Sequence, residues 1–378
     1  MSTGTVSTSG AAKPAIALAL QGGGGLGAYH IGAYEALAEE GWLPDWVCGT
    51  SIGAFNAAVI AGNAPEHRVA KLEGLWNDIS WPDVCLPAHA LQLRFLHNAA
   101  SYANALLFGQ PNFFMPRNPV STLAPDMPPQ EVSFYDTTPL MSTLRRFAEF
   151  PIDRKTAVRL SLGATEIETG NIHYFDSTHD VIGPAHVLAS GSLPPGFPAT
   201  LVDGKLYWDG ACVSNTPLDE IIKESNHAHL VVFMIDLWNA AGKAPRNMNA
   251  VFWRMKQIEY ASRADYHLKS VANKVRLDQA AQLLNARNAA ESVAVPDDPI
   301  LRTQRLDIVH VIYHPGPDQI PESDAEFSRE SIAERRHAGY ADLKGAIAKA
   351  PWLTEALPAH LGVLVHHVEN GQVTTEPV

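Results

Sequence analysis

The chain has 378 residues, 46% of them hydrophobic, and its 28 basic and 40 acidic side chains give a net charge of -12. This length suffices for one large α/β domain or for two ordinary domains with a substantial core. The negative charge disfavours sequence-independent binding to nucleic acid or to an anionic membrane, so any contact with lipid would rely on apolar surface.

The N-terminal tail and the cysteines bear on the compartment of the protein. Residues 1–14 are small and polar, which predicts a disordered tail without the features of a secretory signal. No stretch of about 18 apolar residues follows, so no transmembrane helix is predicted. Cys48, Cys85 and Cys212 are too few for a disulfide framework and lack the spacing of metal ligands. We therefore expect a cytoplasmic protein.

The first predicted elements repeat one pattern. Residues 15–20 (AIALAL) are a short apolar run typical of a buried parallel strand, and a helical pattern follows from Leu26 to Glu40. The next unit has the short strand DWVCG, the turn TS and a helix that ends at Gly62. Strand, tight turn and helix, twice within about fifty residues, predict a mostly parallel sheet covered by helices.

Residues 76–150 differ from this pattern, because they are rich in Pro, Phe and Leu and show weak periodicity. One interpretation is an insertion of loops and helices packed on the core. The other is a mobile apolar cover over a lipid-sized pocket.

The remaining elements continue the strand and helix pattern. A hairpin is predicted around Gly170 and Asn171, and HLVVFMIDLW is a further buried strand. Residues 248–288 are predicted to be mainly helical. The linker SVAVPDDP, the strand LDIVHVIYHP and a polar helix over 328–349 follow.

Four consecutive glycines, Gly22 to Gly25, separate the first strand from the first helix. With Gly27 they fit the dinucleotide pattern G-x-G-x-x-G, which is weak evidence alone. The acidic residue that such a site needs about twenty positions later would be Glu39 or Glu40, and these end a helix instead of a second strand. No Gly-Lys-Ser/Thr follows the glycines, so a mononucleotide site is not supported either.

The sequence GTSIG, residues 49–53, is a G-x-S-x-G motif between a predicted strand and a predicted helix. In that setting a serine, here Ser51, is raised on a sharp turn with its hydroxyl exposed and the helix N-terminus behind it. The alternative is that Ser51 only caps the helix. The strand-turn-helix setting favours a nucleophile.

A serine that attacks an ester produces an oxyanion, which needs preorganised N–H donors. Neighbouring parallel strands end side by side, so the glycine turn would supply unobstructed amides beside Ser51. We therefore predict an oxyanion hole made of the backbone amides of Gly22, Gly23, Gly24, Gly25 and Ile52.

The catalytic base is the remaining requirement. Asp209, in YWDGACVSNTP, follows the predicted strand GKLYW and precedes a glycine that would let the carboxylate face a cleft. An ordinary Asp-Gly hairpin turn is the alternative, and the pattern leaves both open.

In their order, GGGGLG, GTSIG and DGA resemble the motifs of the patatin-like phospholipases, and HVLASGSLPPGFPATLVDGKLYWDGA resembles the family's segment before the aspartate. The resemblance covers about residues 15–217. It implies a three-layer α/β/α fold with a mostly parallel central sheet, and a dyad of Ser51 and Asp209 without histidine. The further motif positions are Gly27, Gly49, Gly53, Gly210 and Ala211.

The resemblance also implies a function and a domain organisation. We expect a serine lipid acyl hydrolase of the phospholipase or carboxylesterase type that forms an acyl-enzyme and uses no metal or organic cofactor. Its partners would be an acyl-ester substrate and, peripherally, a lipid surface. The catalytic domain would span 15–219, including the insertion, and the segment 220–378 would complete or extend it.

The sequence departs from the family at Leu26, where a basic residue commonly stands, and this puts the handling of a phosphate headgroup in doubt. QGGGGLGAYHIG and the tail FSRESIAERRHAGYADL resemble a bacterial subgroup with an extra C-terminal segment. A dyad also needs a stronger base than a free aspartate, so Asp209 should be partly desolvated with a raised pKa. Tyr207 and Trp208 either provide those surroundings or are ordinary strand residues.

Three alternatives stay open. His310 or His314 could complete a Ser-Asp-His triad or bind a metal, although a structural or surface role is the simpler interpretation. The second alternative is a protein that has this fold but is not a catalyst and acts by binding a lipid or polyester surface. Nucleotide binding is the third alternative.

Overall fold

The computed structural model of the chain describes residues 14–81, 91–119, 126–261, 305–316, 320–354 and 362–377, together with four residues between 269 and 277. The predicted tail, apart from Pro14, and the linker at 292–299 lie outside the described residues, as does Cys85. Most of the predicted helix over 248–288 also lies outside them, and its first part is helical from Met248 to Tyr260.

A mixed sheet, ten-stranded over the described residues, forms the centre of the molecule. The strands of the chain are β1 (Ala15–Leu20), β2 (Trp46–Thr50), β3 (Met115–Pro116), β4 (Tyr135–Asp136), β5 (Arg159–Glu166), β6 (Ile172–Asp176), β7 (Thr200–Val202), β8 (Lys205–Asp209), β9 (His229–Asp236), β10 (Arg305–Ile312), β11 (Val363–Glu369) and β12 (Gln372–Pro377). Strands β3 and β4 pair separately from this sheet.

The spatial order of the sheet is β12-β11-β10-β9-β1-β2-β5-β8-β7, with β6 paired to β5. The strands from β11 through β5 in this order are parallel to one another. Strands β12, β6, β8 and β7 are antiparallel to their neighbours. The carboxyl ends of β1 and β2 therefore lie side by side, and the turns that follow them meet at one edge.

Side chains of β1 alternate between two apolar cores, one on each face of the sheet. Ile16, Leu18 and Leu20 belong to the larger core, whereas Ala17 and Ala19 belong to the smaller. This alternation is the pleat of a strand that is covered on both sides. It explains why AIALAL is apolar at every position.

Helices cover both faces, with α7 on the smaller core and most of the others on the larger. The predicted three-layer α/β/α arrangement with a mostly parallel central sheet is confirmed. The helices are α1 (Tyr29–Glu39), α2 (Ile52–Ala61), α3 (Pro65–Asp78), α4 (Leu91–Phe108), α5 (Thr138–Phe147), α6 (Pro184–Ser190), α7 (Leu218–Glu224), α8 (Met248–Tyr260), α9 (Arg329–Ile347) and α10 (Pro351–Thr354).

The first helix begins later than predicted, because Gly24–Ala28 form a short 3-10 turn before α1. Glu39 and Glu40 at the end of α1 bind the Lys344 ammonium of α9, at 2.8 and 2.7 Å. Their carboxylates are therefore engaged in ion pairs between helices. This arrangement gives no support to a role for either carboxylate in holding a ribose.

Helix α9 packs closely on α1. A Cβ atom on Gly32 would collide with the backbone of α9, and one on Gly339 would collide with the backbone of α1. The predicted polar helix over 328–349 is confirmed, with Ser328 as its N-cap. Two C-terminal strands, β11 and β12, extend the sheet beyond β10 and were not predicted. Among the described helices, none is long and apolar enough to cross a membrane.

Candidate active site

Ser51 occupies the turn between β2 and α2 with a backbone φ of 56°, a value that residues other than glycine rarely adopt. The two glycines of the motif allow the turn to be this tight. A Cβ on Gly49 would collide with the Gly53 carbonyl, and a Cβ on Gly53 would collide with the end of β1. The Ser51 N–H donates to the carbonyl and to the hydroxyl of Ser190, both at 3.1 Å. The turn therefore has the strained strand-to-helix form that exposes a serine hydroxyl.

Asp209 is the last residue of β8, and its side chain is fully buried. Its Oδ1 accepts a hydrogen bond from the Ala211 N–H at 2.8 Å. Its Oδ2 is buried and has no hydrogen-bond partner among the described residues. Burial raises the pKa of Asp209 from 3.8 to about 7, against the opposing effects of the Ser51 hydroxyl and the Ala211 N–H. The carboxyl group is thus able to exchange a proton near neutral pH.

The Ser51 hydroxyl is close enough to Asp209 to lower the pKa of its carboxyl, and both residues line one cavity. Tyr207 is buried in the strand and makes an edge-to-face contact with Phe175, with ring centroids 5.0 Å apart. Neither Tyr207 nor Trp208 is among the described residues that line the cavity, so both fit the interpretation as ordinary strand residues.

The five amides predicted for an oxyanion hole are not equivalent. The Gly22 N–H donates to the Asn215 carbonyl at 3.2 Å, and Gly25 is absent from the described cavity wall. The first hydrogen bond of the 3-10 turn runs from the Leu26 N–H to the Gly23 carbonyl, so the Gly24 N–H is not used by the turn. The amide of Ile52 likewise precedes the first hydrogen bond of α2. Of the five predicted amides, those of Gly23, Gly24 and Ile52 are available to bind an oxyanion and belong to residues of the cavity wall.

The cavity that contains Ser51 and Asp209 has a volume of about 480 Å³. Its wall is mainly aromatic and aliphatic, as expected of a site for an apolar ligand. Residues 76–150 contribute to this wall through α4 and the segment after it. The aromatic side chains of the wall are those of Phe55, Tyr102, Phe113, Phe114, Tyr135, Phe197, Trp238, Tyr260 and Phe327.

The C-terminal segment also contributes to the cavity. Trp238 and Tyr260 lie in the wall, and Lys256 of α8 forms an ion pair with Asp324 at 2.7 Å. A Cβ on Gly24, which has a φ of 52°, would collide with the Asp324 carbonyl. The turn at 323–326 is therefore packed directly on the glycine turn.

Leu26, which stands in place of a basic residue, is fully buried in the larger core. Nearby, the buried Arg335 guanidinium of α9 donates to the carbonyls of Glu326 and Ser323, at 2.8 and 3.1 Å. It also forms an ion pair with the Glu326 carboxylate at 3.4 Å. A buried cation thus lies beside the glycine turn, and its charge is compensated by Glu326.

A buried polar network that the sequence analysis did not identify holds the glycine turn. The Gln21 Oε1 accepts the N–H groups of Leu237 and Trp238 at 2.6 and 3.0 Å. Its Nε2 donates to the Thr216 hydroxyl at 2.8 Å. Asn215 also belongs to this region. The only sequence signal for these residues was the proximity of Gln21 and Asn215 to the glycine and DGA motifs.

The two histidines considered for a triad lie elsewhere. His310 is buried in β10 with its Nε2 2.8 Å from the Asp236 carboxylate. His314 follows the strand and contacts the Asn239 side chain at 3.0 Å. Neither is among the described residues of the cavity wall. No group of three or more His, Cys, Asp or Glu residues that could hold a metal occurs in the described part of the chain.

These features define an α/β protein with a serine on a strained turn beside a buried aspartate. A family model described as patatin-like phospholipase matches residues 18–222, and a second, described as patatin phospholipase, matches residues 258–359. The chain belongs to the patatin-like phospholipase family. The predicted resemblance is thereby confirmed, and membership of this family supports the prediction of a hydrolase of carboxylic esters.

Relatives are similar over short segments. The triacylglycerol lipase SDP1L of Arabidopsis thaliana is 34% identical over 67 residues, which are 18% of this chain and 8% of the lipase. Patatin-like phospholipase domain-containing proteins of Chaetomium globosum and Pyricularia oryzae are 48% identical over 51 residues, 14% of this chain and 6% of theirs. The match thus spans less than a tenth of each of these proteins.

A solved structure, VipD from Legionella pneumophila, is similar with a TM-score of 0.34 and 14% sequence identity. The alignment covers 86% of this chain and 66% of that chain. This likeness is too low to carry a structural argument.

Proposed function

We propose that the protein is a serine lipid acyl hydrolase in which Ser51 attacks an acyl ester and Asp209 accepts the proton of its hydroxyl. The observation that carries this proposal is that a serine on a strained turn and a buried carboxyl with a pKa of about 7 line the same apolar cavity. A carboxyl with an ordinary pKa would be too weak a base for a serine, and burial corrects this.

The proposed reaction has two halves. Oγ of Ser51 bonds to the acyl carbon while its proton moves to Asp209, and the oxyanion is held by the amides of Gly23, Gly24 and Ile52. Asp209 then gives its proton to the departing alcohol, which leaves an acyl-enzyme. Water hydrolyses the acyl-enzyme, and Asp209 repeats its role as base and then acid.

The substrate in this proposal is a lipid ester whose acyl chain lies in the aromatic part of the cavity. Leu106 both lines the cavity and is 48% exposed, and the neighbouring Leu107 and Phe108 are exposed as well. This apolar end of α4 is suited to peripheral contact with a lipid surface. A family that includes phospholipases and the partial similarity to a triacylglycerol lipase both support an acyl-ester substrate.

The proposed domain organisation has a catalytic domain over 15–219 and a C-terminal segment over 220–378 that completes it. The contributions of Trp238, Lys256 and Phe327 to the cavity support the second part. A cytoplasmic location remains a prediction from the sequence, and subcellular fractionation tests it.

The first experiment is labelling with a fluorophosphonate probe, followed by hydrolysis of chromogenic esters of increasing acyl length. We expect labelling and turnover in the wild type and loss of both in Ser51→Ala. Ser142→Ala, which removes an exposed serine of α5 outside the described cavity wall, is the control and should label normally. A folded wild type that neither labels nor turns over esters would favour the binding protein instead, and vesicle flotation would then test it.

A further inference from the structure

Asn215 is a cavity-lining residue whose side-chain oxygen has no partner in the described part of the chain. The residue is 9% exposed, and its Oδ1 is buried without a hydrogen bond to any described residue. A buried acceptor without a donor carries a cost in free energy, so such groups in a cavity wall commonly serve a ligand or an ordered water.

The orientation of the Asn215 amide is fixed by its other atom. Nδ2 donates to the Gly22 carbonyl at 3.1 Å and to the Tyr260 carbonyl at 2.8 Å. Only the nitrogen of an amide can donate, so these two acceptors identify it and leave Oδ1 as the atom without a partner. The rotamer and the assignment of the two atoms are therefore both determined by contacts.

Oδ1 of Asn215 lies on the same side of Gly22 as the nucleophile. A Cβ added to Gly22 would collide with Asn215 Oδ1 and would also lie 2.9 Å from the Ser51 Cβ. The absence of a side chain at Gly22 thus opens the space between the amide oxygen and Ser51. In the wall of the same cavity, Oδ2 of Asp209 is a second buried acceptor without a described partner, and the Ser51 hydroxyl acts on its carboxyl.

Two buried hydrogen-bond acceptors that line the cavity with the nucleophile can both be satisfied by one molecule that has two hydrogen-bond donors. We propose that Asn215 Oδ1 and Asp209 Oδ2 together hold the water that hydrolyses the acyl-enzyme. Water has two O–H donors, and when both are engaged its lone pairs remain free to face the acyl carbon on Ser51. This inference rests on the proposed function, since it concerns the second half of that reaction.

The step balances in atoms and charge. The water oxygen bonds to the acyl carbon, and one of its protons moves to Asp209 while the other stays in the hydrogen bond to Asn215. The tetrahedral intermediate then breaks its bond to the Ser51 oxygen, which takes the proton back from Asp209. The products are the free acid and the original serine. Asn215 therefore acts in deacylation, whereas the first half-reaction does not require its oxygen.

Pre-steady-state kinetics with a chromogenic ester measure the formation of the acyl-enzyme separately from its hydrolysis. In Asn215→Ala we expect the burst of released chromophore to keep its rate within about threefold. Steady-state turnover should fall on the order of 100-fold, because the attacking water loses its position. Added hydroxylamine, a strong nucleophile that bypasses the water, should restore turnover.

Trp238→Phe is the matched control, because the Trp238 Nε1–H donates to the same Gly22 carbonyl at 2.9 Å. Like Asn215→Ala, that variant removes one donor to the Gly22 carbonyl, but it removes no acceptor, so burst and steady state should change together, by no more than the burst changes in Asn215→Ala. If Asn215→Ala does not fold, Asn215→Ser, which keeps a polar group in the wall, carries the same expectation.

The outcomes separate the two proposals. Equal loss of burst and steady state in the Asn215 variant, without rescue by hydroxylamine, would overturn the role in deacylation and leave Asn215 as a support of the glycine turn. A wild type with no Ser51-dependent burst would overturn the proposed function itself.

Discussion

A methyl group added to Gly25 would lie 3.0 Å from Nη1 of Arg335, so the glycine turn and the buried guanidinium of α9 are in direct packing contact. The same guanidinium holds the carbonyls of the turn at 323–326, which lies on Gly24. Three segments that are far apart in the chain thus fix one another next to Ser51. The C-terminal segment is therefore part of the structure that shapes the proposed site.

The first prediction concerns this contact. Arg335→Met leaves the buried Glu326 carboxylate without its cation and should lower the free energy of unfolding by about 3–5 kcal/mol. Arg336→Met is the matched control, since its partly exposed pairs with Glu35 and Glu73 should be worth no more than about 1 kcal/mol. Urea unfolding and ester hydrolysis measure both effects. Equal destabilisation by the two changes would contradict the prediction.

Because the backbone at Ser51 is strained, a substitution that removes the nucleophile should abolish activity, and one that also relieves the strain should increase stability. Both Ser51→Ala and Ser51→Gly remove the nucleophile, but only glycine accepts a φ of 56° without steric cost. We expect Ser51→Gly to be more stable than Ser51→Ala by about 1 kcal/mol. Thermal unfolding of the two variants compares them directly, and an alanine variant at least as stable as the glycine variant would show that the turn is not strained.

Asp209 should make stability depend on pH. Its pKa is raised from 3.8 to about 7 in the folded protein. At pH values between these two, the Asp209 carboxyl is therefore protonated in the folded state and ionised in the unfolded state. The stabilisation is fully present below about pH 4 and is lost as the pH rises through about 7. Asp209→Asn stays neutral, so at about pH 8 it should be more stable than the wild type by about 2–4 kcal/mol.

That difference should shrink as the pH falls towards 4. Ser51→Ala is the control, because it abolishes the proposed activity but keeps the Asp209 carboxyl and hence the pH dependence. Chemical denaturation at several pH values gives the comparison. An Asp209→Asn variant that tracks the wild type at every pH would show that the carboxyl is not desolvated.

The same pKa predicts the pH dependence of the reaction. Only the ionised Asp209 can accept the proton of Ser51, so kcat/KM should rise with pH through an apparent pKa of about 7. His310 is paired with Asp236 outside the described cavity wall, so His310→Asn should keep this profile. Loss of hydrolysis in a folded His310→Asn protein would favour a triad over the dyad.

Gly24 and Gly170 test the packing of the glycine turn. Both have positive φ, but a Cβ on Gly170 meets nothing within 4 Å, whereas one on Gly24 collides with the Asp324 carbonyl. Gly170→Ala should cost about 1 kcal/mol through its backbone alone. Gly24→Ala should cost at least about 2 kcal/mol and lower kcat/KM, because the turn at 323–326 must move. Similar values of kcat/KM in the two variants would show that the turn at 323–326 does not influence the active site.

Local sequence patterns predicted much of the sheet. Buried strands such as β1, β9 and β10 are continuous apolar runs, and the hairpin of β5 and β6 turns at Gly170 as its glycine indicated. Strands β11 and β12 were not predicted, although VLVHHVE is mostly buried. The two histidines make that run partly polar, and the buried one, His366, is paired with Asp307, which is distant in the sequence.

The sequence by itself determined the local setting of Ser51, because G-x-S-x-G between a strand and a helix is a requirement of the backbone over a few residues. Only the tertiary structure decided which amides of the glycine turn are free, since Gly22 donates to Asn215 and Gly25 packs on the C-terminal segment. It also decided the pKa of Asp209, which depends on burial by the whole fold. Hydrogen-bond occupancy and desolvation arise from contacts between distant segments, and no local pattern encodes them.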